Sequence, residues 1–172
     1  VHFALISHLA VLFPVADRHY HYENPENTFA PIQDNASTSY QITFQNDFQL
    51  SESNTLSAGY EYEHESVEAS DSNGPSLDQI IENHGLFVQE KLEIQRFILT
   101  AGVRYDHFNS FGDTTNPRIG VAYKITDSTK VRGSYGRGFR APSAGDLAFP
   151  FYGNPDLKPE KSESWEVGVD HY

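Results

Sequence analysis

YQITFQNDFQL, residues 40–50, and TLSAGYEYEHESV, residues 55–67, decide the fold class between them. In the first, Tyr40, Ile42, Phe44, Phe48 and Leu50 share one parity while Gln41, Thr43, Gln45, Asp47 and Gln49 share the other. In the second, Leu56, Ala58, Tyr60 and Tyr62 oppose Ser57, Gly59, Glu61, Glu63 and Glu65. Successive side chains of a strand point to opposite faces, so a period of two with one apolar and one polar face marks a two-faced β-strand. Ser51 to Asn54 is a short polar turn, which makes the pair a hairpin.

The same alternation continues outward. RFILTAGVRYDHF sets Phe97, Leu99, Ala101, Val103 and Tyr105 against Thr100, Gly102, Arg104 and Asp106. NPRIGVAYKI sets Ile119, Val121, Tyr123 and Ile125 against Arg118, Gly120, Ala122 and Lys124, and Val131, Gly133 and Tyr135 carry the pattern on. SWEVGVDHY closes it with Trp165, Val167 and Val169 opposite Glu166, Gly168 and Asp170. With a first strand near the start, this predicts an all-β chain of about eight meandering antiparallel strands. The connections alternate between long loops (Glu23 to Ser37, Glu68 to Asn83, Phe108 to Thr115, Phe139 to Glu163) and short turns (Ser51 to Asn54, Glu93 to Arg96, Thr126 to Ser128). Long loops at one end and tight turns at the other are the habit of a transmembrane β-barrel rather than of a soluble sandwich. Aromatics agree with that choice. Tyr40, Tyr62, Tyr105, Tyr135 and Trp165 fall near the long-loop ends of their strands, and Phe48, Phe97 and Tyr123 near the short-turn ends, as two interfacial girdles require. Asn46 and Glu90 stand on the apolar parity and predict a bulge or slipped register.

Composition narrows the partners. The chain has 172 residues, 12 Lys+Arg and 24 Asp+Glu, and a formal net charge of −12, which repels nucleic-acid phosphates. With no Cys, disulfides and thiolate metal sites are excluded. No apolar run approaches the roughly 18 residues of a membrane-spanning helix; the run Leu9 to Phe13 stops at Pro14.

Four stretches in order, GVRYDHF (102–108), NPRIGVAYKI (116–125), GSYGRGFRAPS (133–143) and FYGNPDLKPEKSESWEVG (151–168), resemble the barrel of TonB-dependent outer-membrane receptors. The resemblance implies a bacterial outer-membrane transporter: a barrel of about 22 strands, a plug inside it, and an N-terminal box that meets the energy-coupling protein. Residues 1–172 are then read as an internal portion of such a barrel, with the plug, the coupling box and the terminal strand lying outside it, and residues 139–163 as a long extracellular loop. Within the family, FYGNPDLKPEKSESWE is most similar to vitamin B12 receptors, so cobalamin is the expected ligand and a ferric siderophore the alternative. Lipid, the plug and the coupling protein are the implied partners. An eight-stranded outer-membrane anchor or adhesin remains the competing reading from strand count alone, and a soluble β-sandwich or lipocalin-like barrel the competing reading from alternation alone.

Arg104, Arg118, Lys124 and Arg132 lie on the polar parity near Glu61, Glu63, Asp106 and Glu166. They read either as a lumen lining that meets plug or ligand or as cross-strand charge pairs. In the loop after Phe139, Arg140, Phe149, Phe151 and Tyr152 stand among Pro142, Pro150, Pro155 and Pro159, a stiffened apolar surface suited to ligand contact; the plainer reading is a turn that returns the chain to its next strand. Gly136 and Gly138 mark a bend or a close approach of another backbone. Asp71, Asn73 and Asp78 lack the carboxylate count and glycine placement of a calcium loop, and His19 with His21 supplies only two metal ligands, so no metal site or cofactor is expected. No nucleophile motif, metal-and-base helix or phosphate-cradling glycine loop followed by a helix is read, and the chain is not read as an enzyme.

Overall fold

The computed structural model describes residues 4–12, 18–23, 26, 32–71, 74–148, 153–154 and 156–172. Its strands are β1 (Ala4–Leu12), β2 (Arg18–Glu23), β3 (Ile32–Ser51), β4 (Asn54–Asp71), β5 (Gly74–Ile94), β6 (Phe97–Phe108), β7 (Gly112–Lys124), β8 (Thr129–Arg140) and β9 (Glu160–His171), with one short helix, α1 (Ala144–Ala148), between β8 and β9. All belong to one antiparallel sheet in which β3 to β9 pair in sequence order. β1 pairs with Gln41–Gln49 of β3 and β2 with Ile32–Ser37 of the same strand, so nine strands fill eight positions. The sheet is open, with β1 and β2 along one edge and β9 along the other.

Three of the expected long loops are strand. β3, β4 and β5 run for 20, 18 and 21 residues, well beyond the 9 to 11 or so needed to cross a bilayer. Residues 33–37 and 68–71, assigned to loops from their polarity, lie in the ladder from Gln33↔Asp71 to Ser37↔Val67. Leu77 to Asn83 likewise continues β5. Phe108 to Thr115 shrinks to a turn at 109–111, because Asp113 already pairs with His107. Past the span long enough to cross a bilayer, the parity that had been apolar turns polar, as Ser66 and Glu68 of β4 show, while Val67 and Ala69 on the other parity are buried. The period-two signal then vanishes although backbone pairing persists. The connection between β8 and β9 spans 141–159, slightly inside the expected bounds.

The faces follow the parity. Phe44, Leu86, Leu99, Val121, Tyr123, Val167 and Val169 are exposed on one side, while Gln41, Thr43, Thr100, Arg118 and Glu166 point to the other. An apolar face left in the open has no place in a soluble sandwich, which would bury it. Register joins the two girdles: Phe48, Leu56, Glu90, Ala101, Ile119, Tyr135 and Trp165 form one cross-strand row. A row that starts near a short turn and ends near a long connection is what strand tilt in a barrel produces. Rings pack along the girdles, Phe97 on Tyr123 at 4.7 Å and Tyr40 on Tyr62 at 5.9 Å between centroids.

The bulge expected for Asn46 and Glu90 is absent. Register shifts in the ladders of β3 to β5 occur between Gln49 and Ser51 and between Ala69 and Ser70, and both residues keep their apolar-face positions. Glu90 is close to the β5–β6 turn and accepts a hydrogen bond from Asn54 Nδ2 at 3.0 Å, so a polar neighbour near the interface, rather than a change of register, accommodates it. In that turn Gln95 takes a left-handed φ of 52°. The helix α1 is far too short to cross a membrane.

Candidate functional site

The buried apolar cluster among the described residues is small and off-centre. Val67 and Ala69 of β4, Ile81 of β5, Phe108 of β6 and Ala144 and Leu147 of α1 form it, with Phe111, Phe139 and Ala141 at its rim. It lies on the polar side of the sheet at the long-connection end, where α1 folds back across β4 and β5. The turn that starts α1 is fixed by a reciprocal cap: Asp146 N–H donates to Ser143 Oγ at 3.2 Å and Ser143 N–H to Asp146 Oδ2 at 3.1 Å. This is the S-x-x-D form of a capping box, written in APSAGD at 141–146. Asn154 N–H then reaches Asp146 O at 2.9 Å, tying the Gly153–Asn154 turn to the helix.

Beneath this cover is a cleft of about 470 Å³ bounded by the inner sides of β3 to β6 and by residues 139–143. Its polar wall follows from the register. Glu61, Gly85 and Asp106 are successive cross-strand partners on β4, β5 and β6. Gly85 has no side chain, and a Cβ there would run into the Arg104 guanidinium. The guanidinium therefore lies over Gly85 and bridges its neighbours: Nη2 is 2.7 Å from Glu61 Oε1 and from Asp106 Oδ1, and Nε donates to Asp106 at 2.8 Å. Gln41 Nε2 and Thr43 Oγ1 donate to Glu61 Oε2 at 2.5 and 3.0 Å. Asn83 Nδ2 donates to Asp106 at 3.1 Å and to Glu63 at 3.4 Å, while its Oδ1 is buried and accepts nothing among the described residues. Beyond the girdle marked by Tyr62, Glu65 is half-buried against α1. Burial pushes its carboxyl up, the Ala144 N–H pulls it down, and Asp146 and Glu63 add to the rise. Hydrogen bonds from the Ser143 side chain and backbone hold Asp146 below its ordinary value.

Of the bases on the polar parity, Arg104 belongs to the cleft. Arg118 borders a second hollow of about 400 Å³ beside Gly136 and Gly138. Lys124 faces Lys130 across the ladder at the short-turn end. Arg132 pairs with Glu166 at 3.2 Å and Asp170 at 3.6 Å, a cross-strand charge pair. Arg140 is exposed and 3.9 Å from Glu160. Phe149, Phe151 and Tyr152 lie outside the described residues, as does Asn73. His21 is exposed between Asp34 and Glu23, 2.5 and 3.2 Å away; those hydrogen bonds, Asp34 foremost, raise its pKa. Among the described residues no group of three or more His, Asp or Glu side chains is arranged to hold a metal ion. Asn83, Gly85 and the α1 cap escaped the sequence reading; Asn83 sat in a stretch assigned to loop, whereas the capping box was there to be read.

Residues 13–172 match the sequence model of the family described as "TonB dependent receptor-like, beta-barrel". The chain belongs to the TonB-dependent receptor family. Members of this family are outer-membrane receptors and transporters. Among its relatives, the vitamin B12 transporter BtuB of Photobacterium profundum is 32% identical over 126 residues, covering 73% of this chain and 20% of that protein. BtuB of Vibrio vulnificus (strain CMCP6) is 30% identical over 155 residues, covering 85% and 25%. The iron-regulated outer membrane virulence protein of Vibrio cholerae (El Tor Inaba N16961) is 34% identical over 126 residues, covering 66% and 19%. The chain thus spans a fifth to a quarter of these relatives' length. Among solved structures, a G324V mutant of the ferric enterobactin receptor PfeA of Pseudomonas aeruginosa superposes with a TM-score of 0.74 at 18% identity, covering 99% of this chain and 29% of that one. The superposition shows that the sheet of this chain has the fold of part of that barrel.

Proposed function

We propose that this receptor chain forms part of the wall of an energy-coupled outer-membrane transporter whose substrate is cobalamin. The observation that carries the reading is the likeness to proteins named as vitamin B12 transporters, at 30 to 32% identity over 126 to 155 residues, together with the FYGNPDLKPEKSESWE stretch. In this reading the apolar face meets lipid and the polar face, with Arg104, Arg118, Lys124 and Arg132, lines the lumen against a plug. The long connections lie outside the cell, and substrate meets Arg140, Phe149, Phe151 and Tyr152. A corrinoid is a large, partly apolar ring that suits aromatic contacts, whereas acidic ferric chelates call for clustered bases, which this loop does not supply. Membership of a family of much longer receptors favours transport over a small anchor barrel.

A ferric siderophore is the second reading, favoured by the 34% identity to the iron-regulated virulence protein. Equilibrium binding of cyanocobalamin and of a panel of ferric siderophores to the full-length receptor separates the two. Cobalamin binding, weakened by about 1 kcal/mol or more when Phe149, Phe151 and Tyr152 become Ala, is the expected result. Tight siderophore binding without cobalamin binding overturns it.

A further inference from the structure

Three features meet in the cleft under residues 139–143. The first is charge. Glu63, Glu65 and Asp106 line it from the polar face of β4 and β6, and Arg104, also in the lining, is engaged by Asp106 and by the neighbouring Glu61. Among the described residues Glu63 is left with one long contact, 3.4 Å from Asn83 Nδ2.

The second is Asn83, which lines the cleft and is 4% exposed. Its Nδ2 donates to two carboxylates, so the opposite amide orientation would press its oxygen against Glu63 and Asp106. The orientation is fixed, and Oδ1 remains a buried acceptor without a donor among the described residues. Buried acceptors are normally paired. A partner for it would be an N–H or O–H donor.

The third is shape. At about 470 Å³ the cleft is within the range of small-molecule sites, and Ile81, Phe108 and Phe139 give it an apolar side. An apolar wall with converging acceptors suits an arm that has a hydrocarbon stem and an N–H-donating tip. A carboxylate tip would meet Glu63, Glu65 and Asp106, while Arg104, the cationic donor of the lining, is already engaged by Glu61 and Asp106.

We propose that this cleft is a subsite for an N–H-donating arm of the transported molecule, a primary amide on the cobalamin reading it rests on, and that it turns away carboxylate arms. The cleft then acts in specificity, discriminating among ligands of one size by the charge of a peripheral group, since a site built around unpaired polar groups rejects a ligand that leaves them unpaired.

The test uses the full-length receptor, with cyanocobalamin and its monocarboxylic derivatives, each having one side-chain amide hydrolysed to the acid. The wild type should bind cyanocobalamin about tenfold tighter than at least one monoacid. Both Glu63→Gln and Asn83→Ala should narrow that ratio to about threefold or less. Glu93→Gln, on the polar face at the short-turn end, should leave it unchanged. Equal binding of all monoacids and the amide, or a ratio that ignores Glu63 and Asn83, overturns the subsite and means that water alone satisfies Asn83, while the cobalamin reading stands. If the wild type binds no cobalamin, the proposed substrate is wrong, and ferrioxamine B with its ammonium and amide groups is compared with anionic ferric enterobactin. Preference for ferrioxamine B, lost in Glu63→Lys, keeps the subsite. Preference for the anionic chelate, or binding of neither, overturns it as well.

Discussion

Replacing Arg104 by Met removes the bridge between β4 and β6 while keeping a stem of similar length. The guanidinium makes contacts of 2.7 Å to Glu61 and to Asp106, whose side chains are 14% and 7% exposed, and is itself 32% exposed. A hydrogen bond to a charged group contributes roughly 1.5 to 3 kcal/mol, and removing one partner of a buried pair costs about 3 to 5 because the other charge is stranded. Solvent reaches a third of Arg104, so screening moves the expected loss to the low end, about 2 to 3 kcal/mol. The sign of a second change makes the test specific. In wild type, Asp106→Asn should destabilise; in Arg104→Met it should recover about 1 kcal/mol, because the carboxylate has lost its counter-charge. Denaturant unfolding of the full-length receptor in lipid bilayers, read by heat-modifiable gel mobility, measures both. An Arg104→Met protein within about 0.5 kcal/mol of wild type, or one further weakened by Asp106→Asn, refutes the account of this network.

Leu147→Ala should loosen α1 by about 2 kcal/mol, the low end for a buried leucine in so small a cluster, seen as roughly thirtyfold faster amide exchange over residues 143–148 with the barrel otherwise unchanged. The pH dependence of that protection has a definite sign at Glu65. Its carboxyl is raised by burial, so its contribution to α1 docking is fully present below the ordinary carboxylate range and is lost as pH rises through the raised value. Asp146, held low by Ser143, contributes above its ordinary value and loses that contribution as pH falls through the lowered one. Glu65→Gln should therefore increase protection at neutral pH and remove the loss on the alkaline side; an unaltered profile contradicts this. Gly85→Ala should displace the Arg104 guanidinium and destabilise by about 1 to 2 kcal/mol, with a smaller effect in the Arg104→Met background when unfolding is measured for both.

The alternation of Phe44, Phe48 and Leu50, then of Leu99, Ala101 and Val103, was enough to place β3 and β6 on the parity that the sheet shows, because lipid on one face and a polar interior on the other impose opposite demands on neighbouring residues. Beyond the girdle that opposition ends. Asn35, Ser37 and Glu68 look like loop, yet pair through their backbones, which composition does not report. Arg104 was legible as a polar-face base near Glu61 and Asp106. That it lies across Gly85 was not, since register three strands deep depends on turn lengths and on the breaks at Ala69/Ser70 and Gln49/Ser51. Asn83 acquires meaning once Glu63 and Asp106 flank it in space.

Spin labels on the full-length receptor test the central claim most directly, placed at Leu99 and Val121, which are ladder partners, and at Thr100 and Arg118 on the opposite parity. The barrel-wall account predicts that labels at 99 and 121 are relaxed by oxygen dissolved in the bilayer, and that labels at 100 and 118 are shielded from lipid and relaxed by a water-soluble nickel chelate or immobilised by the lumen's contents. Water-phase access at 99 and 121, with lipid access at 100 and 118, contradicts it.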